Sequence, residues 1–245
     1  MKEILVQDLA GANVHFGHKK SKWNPKMKKF IYAEKDGIHV INLEKTKDQL
    51  EKALKFLEVA SKEGKTMLFV GTKPQVSPIM KDMAIKLHVP YVTNKWPAGL
   101  LTNWDSLRER IGKLKELRTD LESGDLEEKY TKKEVAKFKK DYEKLSSSFG
   151  GVELMRGLPD VMFVVDPLKE ALAVKEANLC HIPVVAIVDT NASPEGVDYV
   201  IPANDDARKS LEYVLSYIAT ACERKTPAKS ENVIKMAEVE TEMAA

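Results

Sequence analysis

Three unbroken apolar runs constrain this chain more than any other feature. They are Met67-Leu68-Phe69-Val70, Val161-Met162-Phe163-Val164-Val165 and Val184-Val185-Ala186-Ile187-Val188. Runs of this length without polar alternation belong to strands covered on both faces, as in a parallel sheet. Helical patterns lie between them, as in βαβ units. Ile38–Ile41 reads as a first strand, Val89–Val92 as another, and Tyr199-Val200-Ile201 as a short sixth strand stopped by Pro202. Right-handed crossovers then give an α/β, doubly wound open sheet.

The helices carry their own signals. Thr46 with Gln49 reads as a capping box, and Leu50, Ala53, Leu54, Leu57 and Ala60 form one buried face that Gly64 closes. Ser77 caps a helix with Pro78 at its first position. A further helix covers roughly 169–179, and Asn204 or Asp205 caps a last one that runs to about Arg224.

Residues 104–149 break the rhythm. Trp104, Leu107, Ile111, Leu114, Leu117 and Leu121 form one apolar stripe, and Val135, Phe138, Tyr142, Leu145 and Phe149 form a second. A turn at Ser123-Gly124-Asp125 and a capping box at Thr131 and Glu134 separate them. The near-heptad spacing predicts an inserted antiparallel helical, coiled-coil hairpin. Each stripe is narrow, so the hairpin is expected to protrude rather than join the core. The expected organisation is a basic N-terminal arm or helix over 1–35, one α/β domain over 36–103 and 150–225, the hairpin over 104–149, and a disordered tail over 226–245.

Composition enters through its order. The formal net charge is +2, with 39 Lys and Arg against 37 Asp and Glu. Residues 1–35 carry a net +5, residues 36–103 a net +3, and residues 148–225 a net −5. Such segregation points to a polyanionic partner for the basic half. Two cysteines exclude a disulfide framework and a Cys-x-x-Cys metal site, and no apolar run has the roughly 20 residues that span a bilayer. A reducing, cytoplasmic setting and no membrane partner are expected.

Enzyme chemistry finds little support. The chain has no dinucleotide or phosphate-loop fingerprint and no Gly-x-Ser-x-Gly elbow. The alternative worth stating is a nucleotide or sugar-phosphate enzyme using Lys73, Asp166 and Asp189 near strand ends. No nucleophile accompanies them, and Asp166 is as readily a turn former. His15 and His18 raise the metal question. Should Asp189 and Asp205 or Asp206 approach His18, the set would suit a single zinc ion.

The stronger signal is for nucleic acid. Residues 15–30 pack six lysines among three aromatics. Lysines neutralise phosphates, and rings give unpaired bases a stacking surface. His15, Lys19, Lys20, Lys22, Trp23, Asn24, Lys26, Lys28 and Lys29 are the candidate RNA contacts, with Asn24-Pro25 favouring extended backbone. The segment is expected to gain order from its partner. A second cluster supplies Asn94, Lys95, Trp96, Thr102 and Asn103, followed by Arg108, and Lys73 adds a cation at a strand end.

At these residues the chain resembles a known family. HFGHKKSKWNPKMKKFIY, INLEKT, FVGTK, LLTNW, GGVELMRGLPDVMFVVD, EANLCHIPVVAIVDTN and VDYVIPANDDA are similar to blocks of the bacterial-type small-subunit ribosomal protein two, from about residue 8 to 222. The resemblance implies a flavodoxin-like sheet with a coiled-coil hairpin. It implies a non-enzymatic structural role in the small (30S) subunit, bound to 16S rRNA near the head–body junction. Docking of ribosomal protein one and support of mRNA engagement follow from it, among other small-subunit proteins rather than as a homo-oligomer. The family's N-terminal block falls on 15–29 and its loop block on 94–103. Some members have Arg-Trp-Leu-Gly-Gly where this chain has Lys95-Trp96-Pro97-Ala98-Gly99, so Lys95 keeps the charge without the planar fork. His18, Asp189, Asp205 and Asp206 match family positions. No cofactor is implied beyond that candidate zinc ion.

Overall fold

The apolar runs pair side by side in a parallel sheet. The computed structural model describes residues 3–123, 126 and 129–223. In chain order the elements are α1 (Val6–Gly11), β1 (Phe16–Lys19), β2 (Ile31–Lys35), β3 (Ile38–Ile41), α2 (Leu43–Lys62), β4 (Met67–Val70), α3 (Ser77–Leu87) and β5 (Tyr91–Val92). Then come α4 (Trp104–Ser123), α5 (Lys132–Phe149), β6 (Val161–Val165), α6 (Ala171–Leu179), β7 (Val184–Val188), β8 (Tyr199–Pro202) and α7 (Arg208–Cys222). The expected tail over 226–245 and the turn residues Gly124 and Asp125 lie outside the described residues.

The five-stranded sheet has the order β5-β4-β6-β7-β8, all parallel, with Phe69 opposite Phe163, Val164 opposite Ala186 and Ile187 opposite Ile201. Every residue of β4, β6 and β7 is buried. Successive side chains leave opposite faces of a strand, so each strand feeds two cores. Phe69, Phe163, Val185 and Ile187 pack with α2, α3 and α7; Leu68, Val70, Val164 and Ala186 pack with α6 and with residues of α4 and α5. Burying such a side chain contributes roughly 1.5–3 kcal/mol, so the sheet is where the stability concentrates. The fold is the expected α/β doubly wound class and is consistent with a flavodoxin-like arrangement.

Ile38–Ile41 departs from the expectation. It is the central strand of a separate antiparallel sheet, β1-β3-β2. Asp36 and Gly37 join β2 to β3, with φ of 54° and 76°. Two consecutive positive-φ residues make the tight hairpin turn for which Asp-Gly is a preferred pair. The basic arm is therefore built structure, two strands and two short 3-10 turns, rather than a segment awaiting order.

Helix starts also differ. Asn42, not Thr46, caps α2, accepting from the amides of Glu44 and Lys45. Thr46 lies within the helix and donates to the carbonyl of Pro202 at 2.6 Å. Ser77 is already helical, following Val76, and makes no side-chain cap. The capping box at Thr131 and Glu134 is present.

The helices α4 and α5 pack on each other. Arg118 Nε donates to the Tyr142 hydroxyl at 3.4 Å. Leu107, Ile111, Leu114 and Phe149 belong to the same core as Val70 and Val164. The base of the pair is thus part of the domain core, where the sequence suggested a protruding insert. Its narrow stripe is sufficient because the partner helix and the core cluster it joins cover it.

Gly151 joins the second helix to the sheet. A Cβ there would lie 2.2 Å from the carbonyl oxygen of Tyr91. Gly151→Ala is expected to cost about 1–3 kcal/mol through overpacking against fixed backbone. Urea denaturation would check this, and an unchanged midpoint would refute it.

Candidate nucleic-acid interface

The 3-10 turn over Pro25–Phe30 sorts its side chains. Asn24 accepts from the Lys26 amide at 3.0 Å and Pro25 fixes the first turn. With three residues per turn, Met27 and Phe30 share one side and go into the core. Lys26, Lys28 and Lys29 remain outside, as do Lys19, Lys20 and Lys22. Lys20 pairs with Glu34 at 2.7 Å and Lys26 with Glu195. Lys29 stands over the Phe30 ring, 4.9 Å from its centroid. Among the described residues Lys19, Lys22, Lys28 and Lys29 have no ion-pair partner. Trp23 is half-buried, its ring 5.1 Å from that of His39. The His15 ring lies 4.1 Å from that of Phe16, tilted by 38°, and burial lowers the His15 pKa.

The second cluster is organised from inside. Glu176 on α6 is 3% exposed. Its carboxylate accepts from Trp96 Nε1 at 3.0 Å, from the amides of Gly99 at 2.8 Å and Leu101 at 3.0 Å, and from the Thr102 amide and hydroxyl at 3.4 Å each. Burial by itself would raise the pKa of this carboxyl; the Trp96 indole and the loop amides outweigh it and hold the pKa below the usual range. Trp96 is a core side chain, so its ring is not an exposed stacking surface. Lys95, Thr102, Asn103 and Arg108 are exposed, and Asn94 donates to the Ser147 carbonyl at 2.9 Å. No pattern along the chain marks Glu176. A lone acid on a helix reads as a solvated residue unless its indole and amide donors are seen in space.

A third group forms where β4, β6 and β7 end. Lys73 Nζ lies 2.9 Å from Asp166, 2.8 Å from Asp205 and 3.0 Å from Asp206. Burial would lower its pKa, but the Asp205 and Asp166 carboxylates raise it well above the ordinary value. Lys73 is thus largely withdrawn from the surface where the sequence placed it as an RNA contact. Asp166, at φ 64°, accepts from the amides of Leu168 and Lys169 and starts the following turn. Thr72 donates its amide and hydroxyl to Glu170, and Lys169 Nζ donates to the Thr72 carbonyl at 3.0 Å. The order of strands reverses between β4 and β6, the place where doubly wound sheets hold ligands. Here internal ion pairs fill that place. Three carboxylates already occupy the Lys73 ammonium, so it lacks the free charge that the enzyme alternative needs for a phosphate.

His18 joins this group from β1. Its Nδ1 is 3.2 Å from Asp189 and its Nε2 is 3.2 Å from Asp206. The Asp189 carboxylate raises the His18 pKa against the effect of burial. The Asp205 carboxyl is pushed up to about 7, first by burial and then by the charge of Asp189, while Lys73 pulls it down. His18, Asp189 and Asp205 each offer a ligand atom within 4.8 Å of the others. His18 Nδ1 and Asp205 Oδ2 are buried without a directed hydrogen bond. One imidazole and two carboxylates with orphaned atoms fit a zinc-like cation. Asp206 faces the other ring nitrogen, as a carboxylate that orients a metal-bound imidazole does.

Known proteins are similar to this chain in sequence. A family model described as ribosomal protein S2 matches residues 9–225. The small ribosomal subunit protein uS2 of Aeromonas salmonicida is 45% identical over 239 residues, covering 97% of each chain. That of Thermus thermophilus is 45% identical over 214 residues, 87% of this chain and 83% of its own. That of Coprothermobacter proteolyticus is 48% identical over 221 residues, 90% of this chain and 82% of its own. The chain belongs to the ribosomal protein S2 family.

The loop's dependence on Glu176 is testable. Glu176→Gln places an amide N–H₂ against donors and is expected to cost about 1–3 kcal/mol at neutral pH. A carboxyl held below its ordinary pKa stabilises the fold above that ordinary value and stops doing so as pH falls through the folded value. The gap between wild type and variant should therefore narrow on acidification. Urea titrations at pH 7 and pH 3 would show it, and a gap independent of pH would contradict it.

Proposed function

We propose that this member of the ribosomal protein S2 family is a structural constituent of the small ribosomal subunit that binds 16S rRNA through its basic N-terminal face. The family is structural rather than enzymatic. The observation that carries the RNA reading is the sorting of residues 19–29. Core contacts take Met27 and Phe30, and six lysines face outward, four of them without an ion-pair partner among the described residues. Unpaired exposed cations release counterions on meeting phosphates, the main source of affinity for nucleic acid. Lys95, Thr102, Asn103 and Arg108 extend the surface on the Glu176-held loop.

In this reading the protein sits near the head–body junction, supports docking of ribosomal protein one, and so assists mRNA engagement. Residues 1–35 serve as the RNA-facing unit, and the 104–149 helices serve as a module toward protein neighbours. His18, Asp189 and Asp205 would hold a zinc ion, with Asp206 orienting the imidazole. The ion would supply structural charge neutralisation. No helix among the described residues is long and apolar enough to cross a membrane.

Replacing Lys19, Lys20, Lys22, Lys26, Lys28 and Lys29 together by Glu is expected to abolish incorporation into small subunits. All six side chains are exposed, so the unfolding transition should stay close to wild type. Sucrose-gradient sedimentation of a tagged copy decides the matter, and normal incorporation would sink the reading. For the metal, calorimetric titration with zinc should give one site. His18→Ala and Asp189→Ala should each weaken it by about tenfold or more. Equal binding by these variants would remove the ion from the reading.

A further inference from the structure

A cleft of about 500 Å³ lies between the end of β5 and the base of the α4–α5 pair. Lys81, Lys95 and Arg118 line it with Ser146, Ser147 and Ser148, and no Asp or Glu does. This one-sided charge is unusual in a chain whose acids and bases nearly balance. Arg118 is held in place by Glu153 and Tyr142. Lys81 and Lys95 are exposed and have no ion-pair partner among the described residues.

The wall is fixed rather than adaptable. Gly151 is packed so closely on Tyr91 that no side chain fits. Asn94 donates to the Ser147 carbonyl and, at 3.4 Å, to the Ser147 hydroxyl oxygen. That hydroxyl keeps its own proton for another acceptor. The hydroxyls of Ser146 and Ser148 make no hydrogen bond among the described residues. Two unpaired ammonium groups and hydroxyl donors, with the one nearby carboxylate, Glu153, engaged by Arg118, form a receptor for a tetrahedral oxyanion. The volume lies in the range of small-ligand clefts, larger than a single ion needs.

We propose that this cleft binds a phosphate group, most naturally a phosphodiester of RNA whose backbone runs on from the 94–103 loop. The RNA source rests on the rRNA reading above; the phosphate chemistry does not. Of the residues that line the cleft, Asn94 and Lys95 are already RNA candidates, and Lys81, Arg118 and the serines thereby join them.

The test uses the full chain and amide chemical shifts. A short single-stranded RNA oligomer should perturb residues 146–148 and 150–151. The same oligomer with an uncharged methylphosphonate backbone should leave them unmoved. Lys81→Ala/Lys95→Ala should weaken the perturbation by about tenfold or more, because two charge-assisted contacts are lost. Both lysines are exposed, so the variant's unfolding transition should match wild type. A response to inorganic phosphate but not to the oligomer keeps the phosphate site and assigns it to a free phosphate. Silence to both probes, or an unchanged response in the double variant, overturns the proposal. If the oligomer perturbs residues 19–29 and leaves the cleft silent, the cleft falls and the reading of the arm stands. A responding cleft with a silent arm gives the reverse.

Discussion

The ammonium of Lys73 among Asp166, Asp205 and Asp206 is the contact on which the carboxyl edge of the sheet depends. It comes from the loop after β4, and its partners come from the loops after β6 and β8. Asp189 after β7 enters through His18, which reaches in from the antiparallel sheet. Charges removed from water stabilise a fold only when each is matched, and an unmatched one costs several kcal/mol. The loops are thus bound to one another by mutual necessity. The same closure gives the site its non-enzymatic character, since the crevice that would admit a substrate is filled by the protein's own charges.

How much of this could be read from the residues follows from where each signal resides. Continuous apolar runs are local and strong, so β4, β6, β7 and the class of fold were legible. The Asp36-Gly37 turn was also present, yet Ile38–Ile41 looked like one more parallel strand because its length and composition are the same. Asn42 and Thr46 were both competent caps. The choice fell to tertiary context, because Thr46 has a use for its hydroxyl at Pro202. The exposed basic charge of the arm was legible. The arm's order was not, since that order derives from Thr190 and Asn204, far away in sequence. Lys73 and Trp96 show the opposite error. Their types suggested RNA contact, and their burial is decided by acids that pattern alone does not locate.

Charge segregation along the chain also changes meaning in three dimensions. Residues 148–225 carry twelve acids. Asp166, Glu170, Glu176, Asp189 and Asp205 are buried, each with a cationic or hydrogen-bond partner inside the protein for at least one oxygen. The acidic half therefore presents less negative charge to its surroundings than its sequence suggests. The exposed lysines of the arm stay outside, so the surface is more basic than a formal charge of +2 conveys.

The arm's attachments have a consequence for synthesis on the ribosome. The amide of His18 is satisfied by Thr190, 172 residues later, and the carbonyl of Phe16 by Asn204, 188 residues later. Chains emerge N-terminus first, and non-local contacts wait until both ends exist. The earliest residues to leave the exit tunnel are thus among the last to reach their final arrangement. Truncated products carry the same lysines without the scaffold that orients them. The orientation of the arm's lysines is then completed only after Thr190 and Asn204 have been made.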